Sequence, residues 1–201
     1  MNFKLLIPVL LLFNLVSSHA QDKGYMDSMS SFIKKYIETH EVVTDDDKQY
    51  LKFYPINEKY RVIAKFELVK NSPWFKMQTS GAISKIFRIY GSISFSINDT
   101  MVRLHIYQSQ DLMESEKYKD HLFIPFMDLT TGEETYTTGR YMDFNINDIK
   151  DQELLIDFNK AYNPYCAYVS VGYNCPIPPR ENHLNVAIVA GEKEFSKKKE
   201  N

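Results

Sequence analysis

GSISFSINDTMVRLHIYQ, residues 91–108, alternates with period two on both sides of a polar break. Ile93, Phe95 and Ile97 share one face, with Ser92, Ser94 and Ser96 opposite. Beyond the break, Val102, Leu104 and Ile106 oppose Arg103 and His105. Successive side chains on a strand point to opposite faces, so each half reads as a strand with one apolar face. Asn98-Asp99-Thr100 between them is a short hairpin signal. The same alternation lies upstream in YRVIAKFEL, where Tyr60, Val62, Ala64, Phe66 and Leu68 alternate with Arg61, Lys65 and Glu67. Further strands are expected at 75–80, 84–90, 122–128, 139–146, 154–161 and 184–194. Nothing between them reads as a crossover helix. The fold class is therefore mainly β: a single antiparallel meander forming a curved sandwich or small barrel. The 14 Tyr and 13 Phe, against one Trp, agree with a strand-rich chain.

The N-terminal part follows a different period. Met26, Met29, Phe32, Ile33 and Tyr36 recur at helical spacing over residues 25–39. Thr44 reads as an N-cap with Asp45, Asp46 and Asp47 in the first turn, which predicts a short second helix to about Phe53, ended by Pro55. One or two N-terminal helices thus precede the sheet. Ahead of them, Lys4, an apolar run over 5–16 and Ser18-His19-Ala20 form a secretory signal, with cleavage expected after Ala20. Pro8 and Asn14 interrupt the run, so no stable membrane span is expected after cleavage, although an uncleaved anchor remains the alternative. The expected division is a signal peptide over 1–20, a helical segment over 21–56, a β-rich domain over 57–195 and a disordered basic tail over 196–201. The expected location is periplasmic or secreted.

The 201 residues carry 24 Lys and Arg against 26 Asp and Glu, a net charge of −2. No basic patch is interleaved with aromatics, which argues against nucleic acid as a partner. No phosphate loop, dinucleotide fingerprint, zinc-protease helix or nucleophile elbow occurs. The sequence sets neither a cofactor nor an oligomeric state.

Chemistry concentrates in FNKAYNPYCAYVSVGYNCPIPPREN, residues 158–182, which holds both cysteines. A secreted chain with two cysteines normally pairs them, so a Cys166–Cys175 disulfide is expected. Free buried thiols, a metal site and a nucleophilic Cys166 stay open. A metal site needs two more ligands, and a nucleophile needs a base, for which only His183 is close in sequence. Four prolines and several asparagines describe a structured loop across one end of the sheet. In ELLIDFNKAY, Leu154, Ile156 and Phe158 share one face, with Leu155, Asp157 and Asn159 opposite. In GRYMDFNI, Met142, Phe144 and Ile146 share a face, with Tyr141, Asp143 and Asn145 opposite. Arg140 begins the apolar row, so its guanidinium points inward and needs a carboxylate partner, with Glu181, Glu134 and Asp128 as candidates. The Glu192-Lys193 pair reads as solvated or paired charges.

Two functional readings follow. In the first, the chain is an exported small-molecule-binding or structural module whose pocket lies near the loop over 161–182. Arg140, Asn159, Asn163, Tyr162 and Asn182 are then the ligand-binding candidates. In the second, it is a hydrolase or lyase with Arg140 as electrophile and Glu181 and Asp143 as acid and base. Such a carboxylate-rich pocket also suits a divalent cation, although the sequence singles out no metal ligands.

The motifs LFIPFMDLTTGEETYTTGRYMDF, DFNKAYNPYCAY, YNCPIPPREN and IVAGEKEF, with FKMQTSG and YGSISF earlier, resemble the successive motifs of the bacterial and archaeal domain-of-unknown-function family 1684. The resemblance covers roughly residues 60–195. Its pattern includes Asp128, Glu134, Tyr136, Arg140, Asp143, Asn159, Asn163, Cys166, Cys175, Glu181, Asn182, Glu192 and Lys193, and none of the histidines. It implies a family and no activity.

Overall fold

The structure, a computed structural model, describes residues 22–197. The expected signal peptide and the end of the basic tail lie outside the described residues. The described part of the tail is tied down: Lys197 Nζ lies 2.8 Å from an Asp47 carboxylate oxygen.

The first element is helix α1, Lys23–Glu38, N-capped by Asp22, whose side chain accepts from the Gly24 N–H at 2.9 Å. Only Met29 on this helix is fully buried. The expected second helix is a short stretch of 3-10 geometry, Asp45–Tyr50, about two turns long. Thr44 precedes it but makes no side-chain cap, and the chain is extended again at Leu51. Among the described residues no helix is long and apolar enough to cross a membrane.

The strands are β1 (Arg61–Leu68), β2 (Phe75–Met77), β3 (Lys85–Ile97), β4 (Thr100–Ser109), β5 (His121–Phe126), β6 (Arg140–Asn145) and β7 (Glu153–Asp157). They form one antiparallel sheet in the order β6-β5-β4-β3-β1-β7, with β2 beside the first part of β3. The hairpin expected at Asn98-Asp99 joins β3 to β4 through Ile97↔Thr100. Both turn residues have positive φ, 47° and 60°, as a two-residue turn matched to strand twist requires. The two segments expected at 84–90 and from Gly91 onward are one strand. A bulge at Tyr90 shifts the register between Ile89 and Gly91, where any Cβ would overlap the Phe66 ring.

The sheet curls into a half-barrel, and the chain length between β6 and β7 explains why. These strands lie at opposite ends of the sheet order but are joined by residues 146–152 alone. A flat sheet would separate its end strands by about 24 Å at ~4.8 Å per strand. Seven residues barely reach that distance fully extended, at roughly 3.5 Å each. Three of them are coiled in the 3-10 turn Ile146–Asp148, so the edges must curl toward each other.

The concave core holds the expected apolar rows, including Ile93, Phe95, Leu104, Ile106, Met142, Leu154 and Ile156. A smaller cluster, including Phe87, Tyr107, Phe123 and Tyr141, covers part of the other face. The strand expected at 154–161 stops at Asp157, where the chain turns through Phe158–Lys160. The strand expected at 184–194 is a correction. Its alternation is real, with Leu184, Val186, Ile188 and Ala190 all buried in the core. Yet it joins no ladder, and its register pairs are the isolated bridges Met127↔His183 and Phe53↔Glu192.

Candidate functional site

Strand β6 sends Arg140 and Asp143 to opposite faces, because residues three apart on a strand cannot share one. Arg140 is 1% exposed. Its Nη2 lies 2.7 Å from Asp128 Oδ2 and donates to the Ile188 carbonyl at 2.9 Å. Its Nη1 donates to the carbonyls of Ala190 and Glu192. Alternate carbonyls of an extended chain point the same way, so one guanidinium serves residues 188, 190 and 192 in place of a neighbouring strand. Asp128 is fixed in turn by the Thr130 N–H at 2.7 Å and the Thr130 hydroxyl at 2.6 Å. Of the three candidate partners, Glu134 instead pairs with Lys193 at 3.5 Å, and Glu181 lies exposed on the turn Arg180–Asn182.

The asparagines do the same kind of work. Strands β4 and β5 pair in register only at Tyr107↔Phe123. The buried Asn182 amide fills the gap: its Oδ1 accepts from His105 N–H at 2.7 Å. Its Nδ2 donates to the carbonyls of His105 at 2.9 Å and Pro125 at 2.8 Å. Asn159 exchanges bonds with the Asn57 backbone, both at 2.9 Å, and donates to Tyr25 Oη at 2.9 Å. Asn163 donates from its backbone to Glu192 at 2.8 Å and from its side chain to the Lys193 carbonyl at 2.7 Å.

Asp143 and Tyr162 lie elsewhere, in an open groove of about 1240 Å³ between α1, the outer face of the sheet and the loop over 161–182. Helix α1 supplies Tyr25, Ser28, Met29, Phe32 and Tyr36. The strands supply Arg61, Tyr141, Asp143 and Leu155. The loop supplies Tyr162, Tyr165, Tyr173 and Pro176. Asp143 accepts from Tyr162 Oη at 2.6 Å and lies 3.0 Å from His121 Nε2, with its side chain 45% exposed. Burial, then the charge of Asp143, raises the Tyr162 phenol well above its ordinary value, so it stays a donor. At the other end Tyr25 Oη reaches both oxygens of Asp157 at 3.1 Å, beneath the Arg61 guanidinium.

Behind the groove lies Glu192, which is 0% exposed and so corrects its reading as a solvated or paired charge. It continues the inward row of 184, 186, 188 and 190, which is the signal in the sequence that could have found it. Gly191 before it has φ +80°, and a Cβ there would sit 2.6 Å from the Phe158 carbonyl oxygen, so only glycine lets the chain turn in. The carboxylate accepts from Tyr168 Oη at 2.7 Å, Asn163 N–H at 2.8 Å and Tyr36 Oη at 3.0 Å. Desolvation pushes its pKa up to about 7, against the lowering effect of those donors. Tyr36 thus ties α1 to the sheet domain from one groove wall.

Cys166 and Cys175 form a disulfide, with Cα atoms 6.3 Å apart and a separation of nine residues. Closing a loop of this length is expected to stabilise the fold by about 2.7 kcal/mol. Urea midpoints with and without reductant measure it. The expected result is a lower midpoint on reduction. Coincident midpoints would show that the loop needs no staple.

The structure therefore brings Asp143 and Tyr162 together and leaves Arg140, Asn159, Asn163, Glu181 and Asn182 outside the groove lining. Among the described residues no three His, Cys, Asp or Glu side chains converge as metal ligands. Tyr25 and Tyr36 were not expected in the site, because only the docking of α1 places them there, whereas Tyr165 belongs to the loop already expected to border the pocket.

A family model described as "Protein of unknown function (DUF1684)" matches residues 48–193. The chain is similar to an uncharacterized protein of Haloarcula marismortui solved by NMR in solution, at 27% identity and a TM-score of 0.62. The match covers 86% of this chain and 97% of that one. No curated protein matches the chain.

Proposed function

Because the chain belongs to the DUF1684 family, whose description assigns no activity, we propose from the geometry that it is an exported small-ligand-binding β-domain. The observation that carries the reading is the groove between α1 and the sheet, which runs along the loop over 161–182. Its size suits a drug-sized molecule, and its walls combine aromatic rings with a few placed polar groups. The Cys166–Cys175 disulfide supports an oxidising compartment. The hydrolase or lyase alternative needs Arg140 and Glu181 beside Asp143. The Arg140 guanidinium is instead bound to Asp128 and three carbonyls in the core, and Glu181 is not on the groove.

A small-molecule library screened by thermal shift tests this. Ligands that bind only the folded state raise the melting temperature, by an amount that grows with the logarithm of ligand concentration above Kd. Hits are expected to be lost in Leu155→Trp, which fills the groove from a side chain that is 46% exposed and free to grow. Hits that all survive Leu155→Trp would move the site away from the groove.

A further inference from the structure

Resting on that reading, we propose that the Asp143 end of the groove is a subsite for an organic ammonium group, enclosed by the rings of Tyr36, Tyr141, Tyr162 and Tyr165. The first support is charge. Asp143 is half-exposed, and among the described residues its one ion-pair neighbour is His121. Glu41 and Asp148 also line the groove, and Glu41 accepts from Tyr165 Oη at 2.8 Å. Lys85 and Lys150 also line the groove, but neither comes within ion-pair distance of Asp143.

The second support is the use of the phenols. Each of the four hydroxyls is committed: Tyr36 to Glu192, Tyr141 to the Pro176 carbonyl, Tyr162 to Asp143 and Tyr165 to Glu41. The rings are therefore held in place; Tyr141 is buried and backs the others, while Tyr36, Tyr162 and Tyr165 are part-exposed and offer carbon surface rather than hydroxyls. Tyr162 sits against Tyr141 with centroids 5.9 Å apart and against Tyr36 at 6.4 Å. A phenol that donates to a carboxylate has a more negative ring face, which attracts cations.

The third support is a pattern within the same groove. Arg61 lies over Tyr25 at 5.2 Å and Lys160 over Phe32 at 5.4 Å, so the chain places its own cations on those rings. Among the described residues no cation covers Tyr36, Tyr141, Tyr162 or Tyr165. Aromatic walls around a half-exposed carboxylate that has no Lys or Arg partner are the chemistry that recognises an alkylammonium over an equally large neutral group.

The test compares choline with its neutral carbon isostere, 3,3-dimethylbutan-1-ol, by NMR titration of the mature protein. Choline is expected to perturb the signals of Asp143 and Tyr162 and to bind at least tenfold more tightly. The preference is expected to vanish in Asp143→Asn, which removes the charge but keeps an oxygen to accept from Tyr162 Oη. Equal binding of the two compounds at those signals would overturn the ammonium subsite and leave the groove reading intact. A preference that survives Asp143→Asn would also overturn it. If choline leaves the groove signals unmoved while other ligands sensitive to Leu155→Trp bind, the subsite alone falls. If no such ligand exists, both readings fall.

Discussion

Arg140→Met is expected to remove about 3–5 kcal/mol of folding stability, the usual cost of stranding one partner of a buried ion pair. The change keeps most of the side-chain volume and removes only the guanidinium. Asp128 would be left as a buried charge with no cation, and the carbonyls of Ile188, Ala190 and Glu192 would each lose a donor. Urea denaturation measures the loss as a lower midpoint at similar slope. The double variant Arg140→Met/Asp128→Leu removes the stranded charge, but it leaves the three carbonyls unpaired and takes the acceptor from the Thr130 N–H and hydroxyl. It is therefore expected to recover part of the loss and not all of it. Arg140→Met at wild-type stability with weakened ligand binding would instead return Arg140 to the ligand-contacting set.

The alternation in GRYMDFNI already put Arg140 in the apolar row and Asp143 opposite, so their separation to two faces of β6 was legible from period two alone. Joining them in one active site went against that pattern. The hairpin at Asn98-Asp99 and the meander were legible too, because the turn and the strands are local in sequence. The end of 184–192 was only half legible. Its alternation gives its inward face, including Glu192, but not which groups satisfy its carbonyls. Here one side chain from β6 does so, and sequence patterning carries no signal for a side chain that stands in for a strand. Asn182 between β4 and β5 is the same case. The groove was legible only in its loop. Its other wall is α1, and an amphipathic pattern says that a helix docks, not where. Tyr36 on Glu192 and Tyr25 on Asp157 fix that place across more than 130 residues of sequence.

Glu192 gives the second large effect, with a sign opposite to that of an ion-paired carboxylate. Its folded-state pKa is raised from 4.5 to about 7, mainly by desolvation. The folded chain therefore takes up a proton that the unfolded chain releases between those values. The stability it contributes is fully present below pH 4.5 and is lost as pH rises through about 7. The difference corresponds to up to about 3 kcal/mol, at ~1.4 kcal/mol per unit. Burial lowers His40 and His105, whose contribution runs the other way and is lost on acidification. Comparison with Glu192→Gln cancels them, since both histidines are present in each protein. Urea midpoints of the two proteins at pH 8 and pH 4.5 make the measurement. The wild type is expected to gain on the variant as pH falls, and the protection of α1 amides, taken relative to Glu192→Gln at the same pH, to rise with it, because Tyr36 contacts this carboxyl. A wild type that loses ground to Glu192→Gln on acidification would mean that Glu192 is held as an anion by its three donors. Desolvation would then be the weaker effect at this site, and the tie between α1 and the sheet would tighten with rising pH.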